Sequence, residues 1–341
     1  MSRSMLAARF VVGGLTSPML RCSFTKVNAV AKPNTFRSGS WRQFAEDARE
    51  TKTWGRRRRS LKEMAMEPAG ETSFQIGKAA VAGGALCGIG ALCYYGLGLA
   101  NKPGIVDQSM VWPEYVKERI RATYMYLGGS LAFTAASAAA VFRSPVALNL
   151  VSRGGFVAIA VSLAALIGTG EFCRSITYQP GFGPKQMAWI LHTSVMGAVI
   201  APICLLGGPI LIRAAWYTAG VVGSLSAVAA CAPSDKFLNM GGPLAIGLGA
   251  VFAASLGSAF LPPTTALGAG LYSISMYGGL LVFSGLLLYD TQRVVRSAET
   301  YPQYAAHPFD PVNASISIYL DVINIFIRIA TMLATSNQKR K

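Results

Sequence analysis

The sequence predicts an all-α polytopic membrane protein, and three observations carry that reading. The 341-residue chain is 52% hydrophobic and only 13% charged, with a mean hydropathy of +0.41, where a soluble domain carries about 25% charged residues. Its apolar residues gather into about eight segments, most of them near the roughly 20 residues a helix needs to cross a bilayer. Its charges are segregated, the excess behind a net +16 lying at the start, in Arg56-Arg57-Arg58-Arg59 and in Lys339-Arg340-Lys341.

The first 45 residues contain no acid, the first being Glu46, while Arg3, Arg9, Arg21, Lys26, Lys32, Arg37 and Arg42 are interspersed with Ser, Thr, Ala and Leu. That composition predicts a mitochondrial transit peptide over residues 1–44. Arg42-Gln43-Phe44-Ala45 fits a processing pattern of arginine, any residue, an aromatic and a small residue, so cleavage is expected between Phe44 and Ala45. Residues 45–78 read as a polar, basic segment, 79–335 as the helical bundle and 336–341 as a basic tail.

The apolar segments run near 79–100, 123–142, 154–170, 187–206, 209–231, 242–261, 268–289 and 312–335. The third is short and the eighth is the most polar, so either is open to a tilted, half-spanning or re-entrant reading. An even number of spans puts both basic ends on one side, the matrix side if the chain is mitochondrial. Gly84, Gly88, Gly154, Gly155, Gly247, Gly249, Gly278 and Gly279 fall in or beside the spans, where small residues let helices approach closely.

Little supports soluble enzyme chemistry. The six cysteines form no C-x-x-C pair, only His192 and His307 offer imidazoles, and H-E-x-x-H, G-x-S-x-G and P-loop patterns are absent. The chain is therefore expected not to be an enzyme and to need no cofactor. Its basic runs flank apolar spans without a zinc or aromatic RNA-binding motif, which favours anionic lipid headgroups over nucleic acid as partners.

Six acids follow residue 122. Glu171, Asp235, Glu299 and Asp310 fall between apolar runs and read as solvated charges. Asp321 lies inside the last run, where a carboxylate costs roughly 2.5–3.5 kcal/mol on insertion scales. As a helix, Asn313, Ser317, Asp321, Asn324, Arg328, Thr331 and Thr335 recur at steps of three and four and form one polar face. Asp321 has two readings: a structural ion pair with Arg328, or a functional carboxylate. Asp290 ends the preceding run and is either an interfacial acid or the partner of Asp321. Two carboxylates in a low-dielectric site share a proton, and a hard cation such as calcium can replace that proton. Asp290 and Asp321 are thus the candidate ion-coupling residues and possible calcium ligands. Asn313, Ser317, Asn324 and Arg328 are the secondary stripe. His192 is a weaker candidate, as relay or core histidine, and so is Arg213, snorkelling or paired in the bundle.

Leu287-Leu288-Tyr289-Asp290-Thr291-Gln292 followed by Ile318-Tyr319-Leu320-Asp321-Val322-Ile323-Asn324-Ile325-Phe326 resembles the transmembrane Bax-inhibitor-motif family. The leader, the stretch from Ala91 to Leu99 and that from Gly208 to Gly220 are most similar to its mitochondrial member. The resemblance covers residue 79 to the end. It implies a seven-helix bundle around the last helix with an extra N-terminal span here, and a pH-sensing aspartate pair at Asp290 and Asp321 that governs calcium leak. For the mitochondrial member it also implies calcium–proton exchange across the inner membrane and cristae maintenance. It further implies a link to cytochrome c retention in apoptosis. The competing reading is a structural or regulatory inner-membrane scaffold that organises cristae or binds an inner-membrane protease, with the aspartates only stabilising the bundle.

Overall fold

Several helices start where the chain supplies a cap or a proline. The computed structural model describes residues 60–338, apart from 71, 101–102, 153–155, 234 and 306. The expected leader and the Phe44–Ala45 processing site lie outside the described residues. A short helix α1 (Leu61–Met66) is capped by Ser60 and Glu63 acting reciprocally. The helices α2 (Thr72–Gly96), α3 (Ile105–Ser109), α4 (Glu114–Arg143) and α5 (Pro145–Val151) follow, the last capped by Ser144 with Pro145 at its first position. Then come α6 (Phe156–Ser175), α7 (Pro184–Ile200) extended by a 3-10 turn at Ala201–Leu206, α8 (Gly208–Cys231) and α9 (Gly241–Phe260). The chain ends in α10 (Ala266–Ser273), a π-helical turn (Ile274–Gly278), α11 (Gly279–Thr300) and α12 (Pro311–Gln338).

Eight of these stretches are long and apolar enough to cross a membrane, and each overlaps one predicted segment. Two differ instructively from the hydropathy reading. The first span begins at Thr72, inside the polar segment, because Ser73, Gln75 and Lys78 continue a helix that hydropathy alone does not count. The seventh continues through Asp290 to Thr300, so that Asp290 is an interior residue of a helix and not its end. The eighth is one unbroken helix of 28 residues, about 42 Å long at 1.5 Å per residue, enough to cross rather than re-enter.

Burial arranges these helices around α12. Of the most apolar 18-residue stretch of each, 61% is buried in the last span and 6% in the first. α12 packs on α4, α8 and α11, α7 packs on α4 and α6, and α2 lies outside against α8, α10 and the π turn. Many large apolar side chains on the spans are exposed, among them Val157, Trp216, Ile246 and Phe260, as expected for a surface whose solvent is lipid. Successive spans alternate in direction. Glu67 and Ala69 bond to the turn between α9 and α10, while Arg119 in the second turn of the second span bonds to carbonyls at the end of α11.

Gly197 of α7 lets that helix cross α4 at close range. A Cβ there would strike the Thr134 carbonyl oxygen and the Ser137 side chain of α4. Gly197→Val is predicted to destabilise the detergent-solubilised protein by about 1–3 kcal/mol through overpacking, read as a lower thermal midpoint. Gly220→Ala, a position open within 4 Å, is predicted to leave the midpoint in place.

Candidate functional site

The hairpin of α11 and α12 is antiparallel, and its register sets the site. Asp290 lies ten residues before the end of α11 at Thr300, and Asp321 ten residues after the start of α12 at Pro311. Both carboxyl groups are therefore about 15 Å from the turn, level with each other. They meet: the carboxyl groups of Asp290 and Asp321 face each other, and Ser317, one turn nearer the loop, faces Asp290. Asp290 is 7% and Asp321 4% exposed. Arg293 brings Nη1 to 3.8 Å from Asp290 Oδ1, from a side chain that is itself mostly exposed. Asp321 Oδ2 is buried without a hydrogen-bond partner. Two carboxyl groups facing each other in a buried site disfavour double ionisation.

The rest of the stripe follows the neighbouring helix downward. Arg328 is buried, yet no carboxylate lies within 4 Å of it among the described residues, so the ion pair with Asp321 is not formed. Its Nη1 donates to the Asn324 carbonyl at 3.1 Å and to Asn324 Oδ1 at 3.0 Å, and its Nε donates to the Ser275 carbonyl at 3.1 Å. The π turn makes that last bond available. Gly279 N–H reaches back to the Ile274 carbonyl, which leaves the Ser275 carbonyl to the guanidinium. Gly279 has to be glycine for the same reason, since a Cβ would fall on Arg328 Nε. The Phe283 ring covers the guanidinium at 4.5 Å. Thr331 and Thr335 bond to carbonyls one turn back on α12.

Asn313 belongs to a second cluster at the loop end. Lys185, 1% exposed, donates from Nζ to Asp310 Oδ2 at 2.8 Å, to Asn313 Oδ1 at 2.8 Å and to the Ile176 carbonyl at 2.9 Å. Asp310 Oδ1 meanwhile accepts from Asn313 N–H at 2.9 Å, capping α12 ahead of Pro311. Asp310 is thus a paired capping residue, which corrects its reading as a solvated charge. The sequence held one signal for this clasp: Lys185 sits in the first turn of its helix, where the dipole disfavours a cation.

The two weaker candidates lie elsewhere. His192 is buried, with Nδ1 at 3.1 Å from Thr169 Oγ1, Nε2 unpartnered and its ring against Tyr319. Tyr319 is two residues from Asp321, about 200° around α12, so His192 faces a different side of that helix. Arg213 is exposed near the start of α8 and joins neither cluster.

Oxygen atoms within the carboxyl site are few. The two carboxyl groups and Ser317 offer five, whereas calcium takes six to eight. No cluster of three or more His, Cys, Asp or Glu side chains forms among the described residues. Any calcium here would keep water ligands.

Comparison with known proteins places these helices in context. Residues 116–338 match the family model described as Bax1-I, inhibitor of apoptosis-promoting Bax1, so both aspartates lie inside the match. The chain is 52% identical to the growth hormone-inducible transmembrane protein of Rattus norvegicus, over 99% of this chain and 100% of that one. It is 30% identical to an uncharacterised membrane protein of Vibrio cholerae, over 64% of this chain and 89% of the other. To Bax inhibitor 1 of Drosophila melanogaster it is 24% identical, over 67% and 86%. No solved structure matches the chain.

The clasp makes a prediction of its own. Lys185→Met leaves Asp310 unpaired and is expected to cost about 3 kcal/mol of stability. Adding Asp310→Asn to it is expected to restore part of that loss. A double-mutant cycle on thermal or denaturant unfolding in detergent measures the coupling.

Proposed function

This chain belongs to the Bax1-I family of inhibitors of apoptosis-promoting Bax1, and on that footing we propose that it moves calcium by a proton-coupled, pH-sensitive route through Asp290 and Asp321. The observation that carries the reading is the buried contact between the two carboxyl groups, with Asp321 Oδ2 left unpartnered. One proton holds that contact closed. Its loss leaves two like charges in a low-dielectric site, which a hydrated divalent cation neutralises better than water can. Proton release and cation entry are then alternative states of one site, the relation an exchanger or a proton-gated leak requires.

The same reading extends to the cell. The acid-free, arginine-rich leader and the similarity to the rat growth hormone-inducible transmembrane protein support a multi-pass protein of the mitochondrial inner membrane. The family description supports a role in apoptosis, and the resemblance to the mitochondrial member supports cristae organisation and cytochrome c retention. Inner-membrane lipids, cytochrome c and an inner-membrane protease are the partners this reading names, with no enzymatic activity of its own. The second reading, a structural scaffold without transport, is favoured by one feature: Lys185, Arg328 and the stripe threonines find their partners within the bundle.

Reconstitution separates the two. In liposomes, calcium flux is predicted to rise as pH increases, because deprotonation frees the carboxylates. Asp290→Asn and Asp321→Asn are each expected to lower flux at least about tenfold and to flatten its pH response, since either change removes the second charge. Flux and pH response that survive both changes would leave the scaffold reading standing.

A further inference from the structure

A groove of about 270 Å³ opens at the bundle end opposite the α11–α12 loop, between α2, the π turn and the last turn of α12. Phe74, Met276 and Met332 form apolar walls, and Lys78 brings an ammonium group to it, while the Thr335 and Ser336 hydroxyls beside it donate to the Thr331 and Leu333 carbonyls. The turn residues Pro263 and Thr264 also line it, so the groove lies where the spans emerge, at headgroup depth. Lys78 is exposed, and no carboxylate lies within 4 Å of it among the described residues.

We propose that this groove holds an anionic phospholipid, its phosphate on Lys78 and its first acyl carbons against Phe74, Met276 and Met332. Charge complementarity selects an anion, and the apolar walls select one that carries a tail. The volume is below that of a drug-sized pocket, so it takes the headgroup and upper chain and leaves the tails in the bilayer. Phe74 and Lys78 come from α2, which precedes the family match at residue 116. The site is therefore an addition to the family bundle, seating the outer helix through a lipid. Thr335 lies fourteen residues beyond Asp321, about 21 Å along α12, so the site is separable from the carboxyl pair.

The test uses the purified full-length protein in mixed micelles of equal phosphatidylglycerol and phosphatidylcholine, with retained lipid counted by native mass spectrometry. Wild type is expected to retain phosphatidylglycerol about fivefold over phosphatidylcholine, Lys78→Gln to bring the ratio to about one, and Lys78→Arg to restore it. Arg143→Gln, an exposed cation at the same end of the bundle, is expected to leave the ratio unchanged. Lys78 is exposed, so its variants are expected to fold, and size-exclusion elution checks this. Equal retention of both lipids by wild type, or a ratio that Lys78→Gln does not move, would overturn the proposal. So would inorganic phosphate alone stabilising the protein to heat as much as phosphatidylglycerol does, since the groove would then be a site for the free anion.

Discussion

A helix that carries Asn, Ser, Asp, Asn, Arg and two Thr along one face cannot rest in hydrocarbon, because each unsatisfied polar group there costs several kcal/mol. Enclosing α12 is the constraint from which the rest of the bundle follows. α4, α8 and α11 close around it, and small residues let them come near. Gly279 admits the Arg328 guanidinium, and the π turn turns a backbone carbonyl toward it. The polar face is thus met group by group by the α10–α11 helix running antiparallel to it, Thr335 near Tyr272, Arg328 near Ser275 and Asp321 at Asp290.

The buried polar groups along α12 differ in how completely they are satisfied, and that difference points to function. Lys185 makes three contacts and ties the start of α12 to α7, while Arg119 binds the carbonyls that end α11. Both ends of the hairpin turn are therefore pinned. Arg328 has donors engaged and an aromatic ring over it. The carboxyl pair alone combines two acids of like charge with an orphaned oxygen.

The fold was largely legible because apolar runs of membrane length leave a helix as the only economical backbone. The polar face of α12 was legible too, since steps of three and four need no tertiary information. Meeting of Asp290 and Asp321 was not readable from spacing, because the apolar run stops at residue 289 while the helix continues to Thr300. Only with both helix ends known do the equal ten-residue offsets place the carboxyl groups level. The Lys185–Asp310 clasp joins residues 125 positions apart and left no local pattern beyond a cation at a helix start. Arg328 could be placed on the right face from sequence, but its partner is a carbonyl exposed by a π turn that no residue type announces.

Everything rests on the two carboxyl groups meeting across the α11–α12 interface, and disulfide trapping tests that contact directly. In a chain whose natural cysteines are replaced by serine, the pair Asp290→Cys with Asp321→Cys is expected to cross-link under mild oxidation in the membrane. A protease site placed within residues 303–307 would then yield fragments that stay joined until reduced. The control pair Asp290→Cys with Met332→Cys, about 16 Å farther along α12, is expected to remain free. Fragments that separate without reduction in the first pair, from protein that still elutes as folded, would contradict the account.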